Sequence, residues 1–257
     1  MLSNIDDDPD EESSTVRMAR YIAEEDPSSV LEVGCGDGRL FRALRREDWN
    51  AEYTGVEVAE YVVDGNRERH PEANWDVAGA YTLPVETGTV ELVRSEFVVE
   101  HLVYTVRALR EMVRAVKPGG QLLLIFPDFV CSGRLASQVL GFSPVPTALE
   151  RLRQGRLVDS VVSLYDSRVR LPRALKTVRE EVGPFPVNLR PQCLTYSEIT
   201  SPDVDAVYIA SKDEVEEWAY NHNLRVTFPW GRSGRFYENA HMSIHKPPRS
   251  GRQSPSE

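Results

Sequence analysis

The sequence predicts an α/β fold in which a parallel, doubly wound sheet is covered by helices on both faces. Three observations predict it. Short apolar runs of strand length alternate with longer segments whose apolar residues recur at helical spacing, and such alternation closes as a parallel sheet. The first of these strands runs into a glycine-rich turn, Gly34-Cys-Gly-Asp-Gly38, of the kind that leads into a helix. A second break, Lys117-Pro-Gly-Gly120, separates a helical stripe from the apolar run Gln121–Phe126.

Each element follows in order. Ser14 is placed to cap a helix that runs to about Glu25 and stops at Asp26-Pro27. Ser29–Val33 is a short buried strand, followed beyond the glycine turn by a helix with Leu40, Phe41 and Leu44 on one side. Tyr53–Glu57 is the second strand, and a helix from about Glu60 to Glu68 follows it. Asn74–Val77 and Val90–Phe97 supply strands three and four. From His101 onward, Leu102, Val103, Val106, Leu109, Met112, Val113 and Val116 form a helical stripe that Lys117-Pro-Gly-Gly120 ends. Gln121–Phe126 is the fifth strand. Ser211-Lys-Asp-Glu214 has the spacing of a capping box opening a helix to about Tyr220, and strands at about Leu224–Phe228 and Ala240–His245 complete the set. The segment 129–200 interrupts this rhythm and is too long for a loop, so it is expected to be a helical insertion after strand five. Residues 1–12 and 247–257 are polar tails expected to be disordered around a single domain at 13–246.

Charge and composition exclude several function classes. A net charge of −10 argues against general nucleic-acid binding, and none is expected. No apolar run approaches bilayer length, and the N-terminus lacks the basic and apolar regions of a signal peptide. The three widely spaced cysteines, Cys35, Cys131 and Cys193, support neither a disulfide framework nor a zinc site, so no metal is expected. The expected location is the cytoplasm. Only four of the 30 basic residues are lysines, which a high-salt cytoplasm and GC-rich coding explain equally well.

The strongest motif is Val30-Leu-Glu-Val-Gly-Cys-Gly-Asp-Gly-Arg-Leu40. Its glycines let a ligand approach the backbone, and the helix beyond offers free N–H groups to an anion. The nicotinamide fingerprint G-x-G-x-x-G fails here, because Arg39 or Phe41 stands where its third glycine belongs. G-x-G-x-G after Leu-Glu-Val is instead the S-adenosylmethionine pattern, the anion being the cofactor's methionine carboxylate. Glu57 ends strand two, 21 positions after Gly36, where this Rossmann-like geometry places an acid for the ribose hydroxyls. Glu32, Gly34, Cys35, Gly36, Val58 and Ser95 are the accompanying cofactor-site candidates.

Further blocks carry a resemblance. Leu83-Pro84, Val90-Glu-Leu-Val-Arg-Ser-Glu-Phe-Val-Val-Glu-His-Leu102 and Val116-Lys-Pro-Gly-Gly-Gln-Leu-Leu-Leu124 resemble the class I methyltransferases of ubiquinone and menaquinone C-methylation, within the group termed methyltransferase type 11. The resemblance covers about Ser14–Pro127 and Ser211–Lys246. It implies a seven-stranded sheet of order 3-2-1-4-5-7-6 with the last strand antiparallel, and a cofactor at the C-terminal strand edge. At the position where many relatives carry an adenine-binding aspartate, this chain has Gly79. Either backbone groups of Ala80 and Tyr81 hold adenine, or the loop shifts to present Asp76.

A catalytic base is required only if the acceptor has a proton to lose. His101 and Asp128, just past strands four and five, are the candidates, against ordinary capping or loop roles. Tyr208 and Tyr237 are aromatic candidates for the pocket wall. Between Arg134 and Arg190 ten basic residues face five acidic ones, interleaved with apolar positions. Helices there are expected to bury an apolar face and present guanidinium groups, including Arg151, Arg153 and Arg156, to an acidic acceptor, or else to pair with carboxylates of the host domain. Asp203–Ala210 is similar to methyltransferases of cell-surface polysaccharide and glycolipid assembly. The expectation is therefore methyl transfer to a small-molecule or lipid/glycan-linked acceptor. A cofactor-binding module without turnover, a quinone or lipid C-methyltransferase, a nicotinamide enzyme, peripheral membrane contact and any oligomeric state stay open.

Overall fold

A computed structural model describes residues 14–128, 148–165, 211–232 and 239–248, with residues 169 and 173 singly. Both tails, most of the insertion, Tyr208, Tyr237 and the Asp203–Ala210 stretch lie outside the described residues.

The elements run α1 (Ser14–Glu25), β1 (Ser29–Val33), α2 (Arg39–Arg46), β2 (Glu52–Glu57), α3 (Glu60–Arg69), β3 (Asn74–Val77), β4 (Val90–Glu96), α4 (Thr105–Ala115) and β5 (Val116–Pro127). After these come α5 (Ala148–Arg153), α6 (Leu157–Tyr165), α7 (Lys212–Asn221), β6 (Arg225–Thr227) and β7 (Asn239–His245). The strands form one seven-stranded sheet of order β3-β2-β1-β4-β5-β7-β6. β7 is antiparallel to both of its neighbours, and the strands from β3 to β5 pair in parallel. The expected α/β Rossmann-like fold is the observed one.

Strand alternation builds two cores. Leu31, Val33, Val93, Leu122 and Leu124 face α4 and α7, meeting Leu109, Met112, Trp218 and Ala219. Val30, Leu92, Leu123 and Ile125 face the other way, meeting Met18 and Ile22 of α1 and Leu40, Phe41 and Leu44 of α2. Because both faces are covered, apolar residues on the inner strands face both ways rather than alternating with polar ones. Polar residues at the C-terminal ends of β1 and β4 therefore stand out.

Three boundaries differ from expectation. α4 starts at Thr105, because Val99–His101 forms a separate 3-10 turn and the Thr105 hydroxyl donates to the Leu102 carbonyl at 2.9 Å. Lys117-Pro-Gly-Gly120 does not lie between helix and strand but inside β5. Gly119 N–H donates to the Lys246 carbonyl and Lys246 N–H to the Gly120 carbonyl, each at 3.0 Å, so these residues pair with the chain just past β7. The capping box at α7 is not closed either. Ser211 is the N-cap residue, but its side chain makes no capping hydrogen bond. Glu214 instead lies partly buried, one carboxylate oxygen without a partner among the described residues. Burial and the nearby Glu217 push its pKa up to about 7.

The described part of the insertion also departs from expectation. Arg151 is buried at 1% exposure, whereas Arg153 and Arg156 are exposed as expected, together with Leu149, Leu152, Leu157, Val161, Val162 and Leu164. Arg156 pairs with Asp159 at 2.7 Å. In α5 and α6 apolar side chains face solvent beside the exposed Arg153.

Candidate functional site

The site grows from the β1–α2 turn. Gly34 and Cys35 donate N–H bonds of 2.9 and 3.0 Å to the Val56 carbonyl, which ties the turn to β2. Gly34, Gly36 and Gly38 all have positive φ, at 77°, 49° and 79°. Their reasons differ. A Cβ on Gly34 would collide with Val98, and one on Gly38 would come within 2.9 Å of the Trp75 ring, so these two serve packing. A Cβ on Gly36 would meet nothing within 4 Å. Gly36 alone faces open space.

Around that space is a cavity of about 290 Å³ lined by Thr15 of α1, by Glu32, Gly34, Cys35, Gly36, Asp37, Arg39 and Leu40, and by Arg94, Glu96 and Phe97 at the end of β4. α2 begins beside it with Gly38 as N-cap and no side-chain cap, so its first N–H groups receive no capping side chain. Asn66 donates to the Gly36 carbonyl at 2.7 Å and steadies the turn. Burial and the Glu57 carboxylate push the Cys35 thiol up to about 12, which removes it as a nucleophile at neutral pH.

Glu57 lies next to this turn. Its Oε2 accepts the Gly36 N–H at 3.3 Å and its Oε1 the Val58 N–H at 2.7 Å. Each oxygen keeps a further lone pair, enough to accept two vicinal hydroxyls. Val58 is 70% exposed and its Cγ1 approaches the Cβ position of Gly79 at 3.8 Å. An apolar side chain held in water beside a side-chain-free position suits a flat ring. Ala80 is buried, and the Tyr81 hydroxyl accepts the Tyr104 N–H at 3.2 Å. Asp76 lies 3.9 Å from Arg67, tied to the α3 side. These residues fit S-adenosylmethionine: a cradle for the methionine part, a carboxylate for the ribose and an apolar edge for adenine.

The remaining candidates are less close. The Ser95 side chain is buried and is not among the residues lining this cavity. His101 sits half-exposed in its turn, Nε2 at 3.9 Å from Glu100. Asp128 is buried and paired with Lys212 of α7 at 3.3 Å. Neither lines the cavity.

The sequence reading named Glu32 but missed its partners on the floor. Glu32 and Arg94 are register partners on β1 and β4, and Arg94 also reaches Glu96 two residues on, on the same face. Arg94 hydrogen-bonds both carboxylates, and the Tyr53 hydroxyl donates to Glu32 from β2. A charged residue directly after the buried pair Leu92-Val93, opposite an acid of the glycine motif, was the available signal. Phe97 follows with φ 54°, a left-handed conformation that is a strained outlier for a bulky residue, and is 41% exposed.

Among the described residues no group of three or more His, Cys, Asp or Glu could hold a metal, and no helix is long and apolar enough to cross a membrane.

Sheet order, glycine cradle and strand-end acid define a class: the Rossmann-like, class I methyltransferase fold. Residues 31–124 match the family model for a methyltransferase domain. That part of the chain is thus similar to a methyltransferase domain. The demethylmenaquinone methyltransferase of Thermotoga maritima is 26% identical over 109 residues, 42% of this chain and 48% of that protein. The ubiquinone/menaquinone biosynthesis C-methyltransferase of Cereibacter sphaeroides is 29% identical over 115 residues, 42% and 46% of the two chains. The chain thus spans under half the length of these relatives. The fold extends further than the sequence match. Magnesium protoporphyrin IX methyltransferase from Synechocystis superposes with a TM-score of 0.54 at 10% identity, covering 91% of this chain and 82% of that one.

Proposed function

We propose that the protein transfers the methyl group of S-adenosylmethionine to a small-molecule or lipid/glycan-linked acceptor. The observation that carries this reading is the pairing of Gly36, open to the cavity, with the Glu57 carboxylate that braces it. When bound, the cofactor supplies a methyl group on a sulfonium sulfur, open to in-line displacement. The protein's part is then largely alignment, with the turn fixing the methionine end and Glu57 the ribose. Where the acceptor must lose a proton, His101 is the candidate base, since Asp128 is engaged by Lys212. The exposed apolar side chains of α5 and α6 suit an acceptor with a lipid tail better than a small phosphate.

Calorimetric titration with S-adenosylmethionine, followed by labelling of cell extracts with tritiated-methyl cofactor, tests the reading. Saturable binding with label appearing in a small-molecule or lipid-soluble fraction supports it. Binding without transfer to any fraction would favour a cofactor-binding module, and absence of binding would remove both.

A further inference from the structure

We infer that Phe97 is an aromatic contact for the sulfonium end of the cofactor, and that its strained backbone is kept for that contact rather than for the fold. The inference rests on the reading of the cavity as a cofactor site.

The packing around Phe97 has no use for its ring. β4 is buried from Leu92 to Ser95 and Val99 is buried two residues beyond, yet Phe97 between them is exposed and is in neither of the two apolar cores. Its φ of 54° lies in the left-handed region, which glycine adopts freely and a bulky side chain does not. The backbone is held there from both sides. The Phe97 N–H donates to the Ile125 carbonyl of β5 at 2.9 Å, and the next residue, Val98, packs where a Cβ on Gly34 would stand. The chain must therefore turn left-handed at this point to leave β4 and cover the glycine turn. Glycine would make that turn at lower cost, and a ring left in water returns no burial energy to offset the strain.

What Phe97 does meet is the cavity, which it lines with Glu96 and Thr15. It is the one aromatic among the described residues that line it. The order of the sheet decides which part of a ligand lies nearby. β1, which carries the glycine turn, runs between β2 and β4. Glu57 ends β2 on one side of the turn, and Phe97 follows β4 on the other. A ligand laid across the turn with its ribose at Glu57 therefore carries its opposite end towards Phe97. In S-adenosylmethionine that end is the sulfonium with the methionine chain beyond it. An aromatic face attracts an onium group, the more so where water is kept away. A strained residue fixed by its surroundings at a cavity wall is the pattern of a ligand contact.

The test uses the full chain as wild type, Phe97→Gly, Phe97→Leu and Phe97→Tyr, each melted without ligand and titrated with S-adenosylmethionine by calorimetry. Phe97→Gly relieves the backbone, so net of glycine's extra chain entropy its Tm should rise by about 2–4 °C. The same variant should bind about tenfold more weakly. Phe97→Leu keeps an apolar side chain and the strain but loses the ring, and should bind about three- to tenfold more weakly at an unchanged Tm. Phe97→Tyr restores the aromatic face and should bind within about twofold of wild type. Wild-type affinity in Phe97→Leu would mean that no ring contact is made. A lower Tm in Phe97→Gly, or its failure to fold, would mean that the ring serves the fold. Either result overturns the inference. Failure of the wild type to bind S-adenosylmethionine would instead overturn the cofactor reading on which it rests.

Discussion

At the scale of single residues, glycines in one turn have separable roles. Gly34→Ala should destabilise the fold, because its Cβ meets Val98 and its φ of 77° suits few side chains. Gly36→Val should abolish cofactor binding, since the branch would fill the open cradle, while its loss of stability stays limited to the backbone strain. Chemical denaturation beside ligand titration checks both, and a Gly36→Val protein that binds normally would place the site elsewhere. Glu57→Ala should weaken S-adenosylmethionine binding by about 1.5–3 kcal/mol, the range for hydrogen bonds to a charged group, with little change in folding. The glycine turn and Glu57 were legible in the sequence because each occupies a strand end at fixed spacing. Arg94 was not. Its meaning depends on lying opposite Glu32 across two strands about sixty residues apart, and parallel register cannot be counted along a chain.

At the scale of elements, two carboxylates report how strands and helices are joined. Glu91 at the start of β4 accepts the Ser28 N–H and hydroxyl at 2.8 and 2.6 Å and pairs with Lys117 of β5 at 2.8 Å. It therefore ties three neighbouring strands together. The Lys117 ammonium and the Ser28 donors lower its pKa to about 2. A depressed acid contributes stability above its unfolded pKa of 4.5, and that contribution is lost as pH falls towards 2. Melting temperature should drop through that window, and Glu91→Gln should flatten the drop. Glu214 has the opposite sign. With its pKa raised to about 7, its penalty is absent below 4.5 and complete above 7, so Glu214→Gln should raise the melting temperature at pH 8 and leave it unchanged at pH 4. Helix α7 was legible from Ser211 and Glu214, but their reciprocal bonds were not. Spacing allows a capping box; whether Glu214 turns back or points into the domain is decided by packing around Trp218 and Val215. Lys117-Pro-Gly-Gly120 shows the same limit, since the partner that draws it into β5 is the chain past β7, far along the sequence.

At the scale of the whole molecule, fold and ligand are coupled through the C-terminal edge of the sheet. The order of the strands was legible because alternating strands and helices, read with the resembling blocks, admit few topologies. The insertion was not: composition supplied arginines and leucines but not which of them turn outward, and in α5 Arg151 is buried while Arg153, Leu149 and Leu152 are exposed. The proposed cofactor cavity joins α1, β1, α2 and the end of β4. A ligand there braces elements that global unfolding must separate, so binding should appear as stability. At a free concentration one hundred times its Kd, S-adenosylmethionine should add about 2.7 kcal/mol to the unfolding free energy. For a domain of this size that corresponds to a rise of about 5–10 °C in Tm. With Glu57→Ala weakening binding by about 1.5–3 kcal/mol, the same concentration should add only about 0.3–1.3 kcal/mol. Thermal melts of both proteins with and without cofactor measure the difference. Amide exchange should locate it, with new protection at Gly34–Gly38 and the end of β2 and none at β6, on the far edge of the sheet. Equal Tm shifts in the two proteins would mean that the ligand binds without the β2 carboxylate, and the ribose assignment would fall.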